Sequence, residues 1–136
     1  MRRYEERTVL VTGATGGLGA EICRRLAAEG AQVVAGDLDG TDLAGTLSTL
    51  SGEGNRQLTL DVSIEEHWSA AAQEIRETYG RLDVLVNNAA IGSIATVEDE
   101  DRERWDQVIA VDATGVWLGM KHLGPLIERS GGGSIV

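Results

Sequence analysis

Thr12-Gly13-Ala14-Thr15-Gly16-Gly17-Leu18-Gly19 is the stretch on which the reading of this chain turns. Ahead of it lies Thr8-Val9-Leu10-Val11, a short β-rich run. Behind it, Leu18, Ile22 and Leu26 recur every four positions up to Glu29, the stripe of an amphipathic helix. A glycine cluster between a strand and a helix is where a parallel sheet presents its strand ends to a ligand. The first turn of such a helix carries unpaired N–H groups and the positive end of the dipole, which suits a phosphate. A Cβ at Gly13 or Gly17 would obstruct the turn or the approach of a pyrophosphate, while Gly19 lets the helix pack closely. Taken alone, the pattern fits equally well a turn that only reverses the chain.

Working outward, strand-like and helix-like segments alternate to the end. Gly30 closes the first helix, and Gln32-Val33-Val34-Ala35 reads as a second strand ending at Gly36-Asp37. A weaker helix spans 41–50, and a third strand Leu58-Thr59-Leu60. Ser63 is placed to cap a helix running to about Tyr79, with Glu65 and Glu66 near its positive end and Gly80 after it. Val84-Leu85-Val86 is an apolar and therefore central fourth strand. A long helix is expected over 100–129, and Ser134-Ile135-Val136 starts a fifth strand. This alternation predicts an α/β fold, a Rossmann-like doubly wound parallel sheet with right-handed crossovers. Because Val136 falls inside an apolar strand, the sheet is expected to be truncated at its fifth strand.

A length of 136 residues is that of one domain, 1–136, incomplete at its C-terminus on this reading. With 42% apolar residues and no Phe, the core must rest on Val, Leu, Ile and Ala, as in a sheet covered on both faces. The net charge of −10, with no cluster of Lys and Arg, argues against a nucleic-acid partner. No apolar run approaches the ~20 residues of a membrane span, and the charged start Met1 to Arg7 is unlike a signal peptide. Cys23, the only cysteine, sits among apolar helix positions and reads as a small hydrophobe in a reducing, cytoplasmic setting. No metal site is expected.

The other strand ends carry the functional signal. Asp37 follows the glycine turn by roughly 20 residues, where a carboxylate can accept from adenosine ribose hydroxyls. It would repel a 2′-phosphate, and no Arg or Lys in the turn or just after Asp37 offsets that, which favours NAD over NADP. Asp61 can meet the adenine amino group and Val62 can cover the ring. Asn87-Asn88-Ala89-Ala90 offers small residues to lie against a cofactor, and amides to tie strands together.

These motifs together resemble the short-chain dehydrogenase/reductase family, along the whole chain and in order. Val111-Asp112-Ala113-Thr114-Gly115 and Gly132-Gly133-Ser134-Ile135-Val136 match further landmarks of that family. The resemblance implies a Rossmann fold, NAD(P), and hydride transfer between an alcohol and a carbonyl. It implies that Gly13, Gly17 and Gly19, with Thr15, Gly16 and Leu18 of the same turn, line the pyrophosphate region. Asp37 would hold the ribose, Asp61 and Val62 the adenine, and Asn87 with Ala89 the middle of the cofactor. Two positions depart from the pattern: Ala90 stands where the family has Gly, and Asp112 where it has an Asn of the proton relay. Asp112 is thus the one catalytic position present, unless it only pairs locally with an Arg or Lys.

The family's catalytic Ser and Tyr-x-x-x-Lys would follow the fifth strand, after Val136, so this chain alone is expected to be inactive. Tyr4 and Tyr79 cannot substitute, and His67 and His122 read as surface or helix-packing residues rather than bases. On the long helix, Trp105, Ile109, Val116, Met120, Leu123 and Ile127, with Val108 and Trp117 beside them, give one stripe expected to cover the sheet. By resemblance the same helix would also pair copies into a homo-oligomer. The leading reading is an NAD-dependent oxidoreductase of a small alcohol or carbonyl. The other is a non-catalytic NAD(P)-binding redox sensor on the same fold.

Overall fold

A computed structural model describes residues 2–136. Five parallel strands, β1 (Thr8–Thr12), β2 (Gln32–Asp37), β3 (Arg56–Thr59), β4 (Val84–Val86) and β5 (Ser134–Ile135), lie in the order β3-β2-β1-β4-β5. The order reverses direction between β1 and β4, and the C-terminal ends of those strands open a crevice there. This is the expected doubly wound, Rossmann-like sheet.

Alternation along each strand sends side chains to two separate cores. Val9, Val11, Val33 and Ala35 pack with Cys23, Ala27 and Leu43, under α1 (Gly17–Ala28) and α2 (Leu43–Ser48). Leu10, Val34, Leu58 and Leu85 pack on the other face with Trp68 and Ile75 of α3 (Glu65–Tyr79) and Leu118 and Leu123 of a helix after β4. Aliphatic residues fill both cores, with Trp68 as the one large buried aromatic in the second.

Several boundaries differ from the sequence reading, each for a local reason. The third strand pairs over Arg56–Thr59 rather than 58–60, and the Leu60 N–H gives the bond that closes the pairing, to Asp37 O. Ser63 does not cap α3. Its hydroxyl and N–H both go to Asp61 Oδ1, and Ile64 holds the N-cap position without a side-chain bond. The long helix is three pieces: α4 (Arg102–Ile109), a π turn over Ala110–Thr114, and α5 (Gly115–Arg129).

That π turn also corrects the expected stripe. One extra residue in a turn rotates everything beyond it by about 100°. The face on the sheet is Gly115, Leu118, Gly119, Leu123, Leu126 and Ile127 of α5, α4 buries no residue, and Trp105, Ile109, Trp117 and Met120 are 40–56% exposed. Two glycines allow the close approach of α5. A Cβ at Gly115 would come 2.9 Å from Val62 O, and one at Gly119 2.9 Å from the Trp68 ring. Trp68 is fully buried and donates from Nε1 to Val62 O at 2.8 Å, so core packing fixes the end of β3.

Candidate functional site

A cleft of about 670 Å³ lies at the C-terminal ends of β1 to β4. The turn after β1 contributes Gly13, Thr15, Gly16, Gly17, Leu18 and Gly19 to its wall. Asp37 and Leu38 come from the end of β2, Leu60 to Ser63 from the end of β3, and Asn88 to Ile91 from the end of β4. Gln107, Ala110 and Val111 close it from α4 and the π turn. The site residues read from the sequence therefore meet in one place, apart from Asn87 and Asp112.

The glycines of the turn have different causes. Gly13 has φ +62°, and a Cβ there would stand 2.9 Å from Ala89 Cα. A Cβ at Gly19 would overlap Gly13 O. Both are demanded by the chain itself. Gly17 has neither a left-handed backbone nor any atom within 4 Å of an added Cβ. The space beside it is open and Gly17 lines the cleft, so packing within the chain does not demand a glycine there. Gly16 is the N-cap of α1 and brings no side-chain cap, and the first turn holds no acidic residue. The positive end of that helix is left uncompensated toward the cleft, where it favours an anion.

Two carboxylates are the only charged groups on the cleft wall among the described residues; no Lys, Arg or His joins them. Asp37 is half-buried. Its Oδ2 accepts from Thr15 N at 2.9 Å and Thr15 Oγ1 at 2.7 Å, and its Oδ1 accepts from Leu38 N at 2.8 Å. Asp61 Oδ1 accepts from Ser63 N at 2.9 Å and Ser63 Oγ at 2.6 Å. The Asp61 N–H donates to His67 Nδ1 at 3.0 Å, which fixes that ring as a backbone acceptor. His122 of α5 pairs through Nε2 with Glu65 at the start of α3, at 2.9 Å.

Of the two neighbouring asparagines, Asn88 reaches the site. Its Nδ2 donates to Thr12 O at 2.9 Å and Gly13 O at 3.2 Å, and the N–H groups of Asn88 and Ala89 both donate to Thr12 Oγ1 at 3.0 Å. This lattice ties the β4 end to the glycine turn. Asn87 faces the other way: its Oδ1 lies under Gly119, and its Nδ2 is buried without a partner. The extended chain just after β4 sends the two side chains to opposite sides, and no residue pattern around the pair marks the phase.

Asp112 stands on the π turn and accepts at Oδ1 from Ile91 N at 2.9 Å. It does not pair with an Arg or Lys. Its contact ties the loop after β4 to the helix, and it lies next to the cleft wall rather than on it. Leu38, Ser63, Gln107 and Ala110 are wall residues that the sequence reading passed over. Leu38 offered a signal, an apolar residue between two aspartates, and it is 49% exposed at the cleft. Cys23 is fully buried, and burial pushes its thiol up to about 11.

Comparison with known proteins agrees with this geometry. The family model described as short chain dehydrogenase matches residues 7–136. Trans-4-hydroxycyclohexanecarboxylate dehydrogenase of Sinomonas cyclohexanicum is 40% identical over 141 residues, covering 98% of this chain and 54% of that protein. The 3-alpha-(or 20-beta)-hydroxysteroid dehydrogenase of Mycobacterium tuberculosis is 37% identical over 133 residues, covering 96% and 50%. The crystal structure of levodione reductase superposes with a TM-score of 0.91 at 30% identity, covering 98% of this chain and 54% of that one. The chain spans about half the length of the curated relatives it matches.

Proposed function

Since this chain belongs to the short-chain dehydrogenase family, we propose that it is the cofactor-holding part of an NAD-dependent oxidoreductase acting between an alcohol and a carbonyl. The observation that carries this is the bare Gly17 at the uncompensated start of α1, facing the same cleft as Asp37 and Asp61. A nicotinamide dinucleotide supplies the hydride acceptor or donor. The chain's own part is to bind and orient it. The N–H groups at the start of α1 receive the pyrophosphate, Asp37 a ribose hydroxyl, and Asp61 with Val62 the adenine. Asn88 and Ala89, rather than Asn87, border the middle of the cleft.

Asp37 and the lack of any cation on the wall support NAD over NADP, because a 2′-phosphate would meet carboxylate charge with nothing to neutralise it. Proton transfer falls to the Ser and Tyr-x-x-x-Lys that the family carries after the fifth strand. Asp112 contributes by holding the loop at Ile91 beside the reacting end. Two of the relatives are, by name, dehydrogenases of ring alcohols. The relatives are named as dehydrogenases or reductases, which favours the enzyme over a sensor.

For the whole protein we place a homo-oligomer contact on Trp105, Ile109, Trp117 and Met120, which the sheet leaves uncovered. No helix among the described residues is long and apolar enough to cross a membrane. The single buried thiol suits a reducing cytoplasm.

Turnover tests the proposal. The full-length protein should reduce NAD in the presence of ring alcohols, and the 136 residues alone should not. A full-length protein that binds NADH but turns over no alcohol or carbonyl would replace the enzyme with a binding module.

A further inference from the structure

Asp37 does not stand alone at the end of β2. A carboxylate oxygen accepts two good hydrogen bonds, one for each lone pair. Both of those on Oδ2 are taken by Thr15, through its N–H at 2.9 Å and its hydroxyl at 2.7 Å. On Oδ1, the Leu38 N–H takes one at 2.8 Å. One lone pair, on Oδ1, remains for a ligand. The three donors hold the side chain in a single pose, and all of them are neutral, so the negative charge stays uncompensated.

Thr15 is well placed for this. It sits in the glycine turn that the Asn88 bonds lock to β4, and Ala14 N donates to Gly36 O at 3.1 Å. The turn is therefore docked on the end of β2 by its backbone, whatever the residue at position 15. The Thr15 hydroxyl is the extra element, and its bond runs to Asp37.

We propose that Thr15 is a positioning residue for cofactor choice: its hydroxyl acts through Asp37, holding that carboxylate where it receives one ribose hydroxyl and repels a 2′-phosphate. This rests on the reading of Asp37 as the ribose-binding group. With the hydroxyl gone, the carboxylate gains freedom to turn away from an incoming phosphate, and discrimination falls.

The test is a double-mutant cycle on the full-length protein, with dissociation constants for NADH and NADPH measured by calorimetry. Thr15→Val keeps the branched shape and removes the hydroxyl, and Thr15→Ser restores it. In the wild-type background Thr15→Val should narrow the NADH-over-NADPH ratio by roughly three- to tenfold, the size of one ordinary net hydrogen bond. Thr15→Ser should keep the wild-type ratio. With Asp37→Ala already present, Thr15→Val should leave the ratio unchanged. An equal narrowing in both backgrounds would overturn the proposal, because Thr15 would then touch the cofactor directly. A wild-type preference for NADH that Thr15→Val does not alter would overturn it too, while leaving Asp37 as the ribose group. A wild-type preference for NADPH would instead remove the Asp37 reading on which it rests.

Discussion

At the N-terminal edge of the sheet, Asp83 sits just before β4, 2% exposed, with Arg7 at 2.7 Å and Arg81 at 2.6 Å on its Oδ1. Its Oδ2 accepts from Thr8 N at 2.9 Å. At the opposite edge, Asp37 and Asp61 end β2 and follow β3, and hydroxyls and N–H groups alone hold them. Three aspartates border one sheet, and the kind of partner separates them. Two guanidinium groups neutralise the first and close its lone pairs, which makes it a clasp between β1 and β4. Neutral donors leave the other two charged, oriented and partly open. On the proposed function, the strand-end carboxylates that are fixed without being neutralised are the ones left to meet a ligand.

The clasp should give the largest effect on stability. Burial works against the Asp83 charge, but Arg81, the Thr8 N–H and Arg7 together outweigh it and hold the carboxyl below its ordinary value. Its folded pKa lies below the unfolded one, so its contribution is complete at neutral pH and is lost as pH falls through the lowered value. Asp83→Ala should cost about 2–3 kcal/mol in urea unfolding at pH 7, chiefly by stranding the buried Thr8 N–H, and should flatten the acid limb of stability against pH. The NADH-over-NADPH ratio should not move. A shifted ratio would mean that the two edges are not separate in function.

The glycine turn makes a smaller and divided comparison. Gly13→Ala should destabilise by about 1–3 kcal/mol, through its left-handed φ and the approach to Ala89. Gly17→Ala should change stability by less than about 1 kcal/mol, in the stabilising direction expected for Ala in a helix, yet weaken NADH binding at least severalfold. Thermal unfolding and NADH titration of the two variants check this together. Equal losses of stability would show that Gly17 serves packing after all.

Much of this was legible from residues because strand, turn and helix alternate with unbroken local signals. The five strands, the glycine turn and the pairing of Asp37 with it in one crevice follow from spacing and from the parallel topology. What stayed hidden depends on phase and on competition for hydrogen bonds. Asn87 and Asn88 are the same residue one step apart, and only the pleat of β4 decides which amide meets Thr12. Ser63 looks like a helix cap, but its hydroxyl is taken by Asp61. The apolar stripe over 100–129 holds its period on either side of Ala110–Thr114, and the π turn rotates one half against the other. No composition signal marks that extra residue, so Trp105, Ile109 and Met120 were assigned to the sheet when they face outward.

The difference between a neutralised and an uncompensated aspartate comes down to which cofactor the full-length protein prefers. Calorimetric titration with NADH and with NADPH, on the wild type and on Asp37→Ala, measures it directly. NADH should bind at least about tenfold tighter to the wild type, and Asp37→Ala should remove most of that margin. Tighter binding of NADPH, or a margin untouched by Asp37→Ala, would contradict the account.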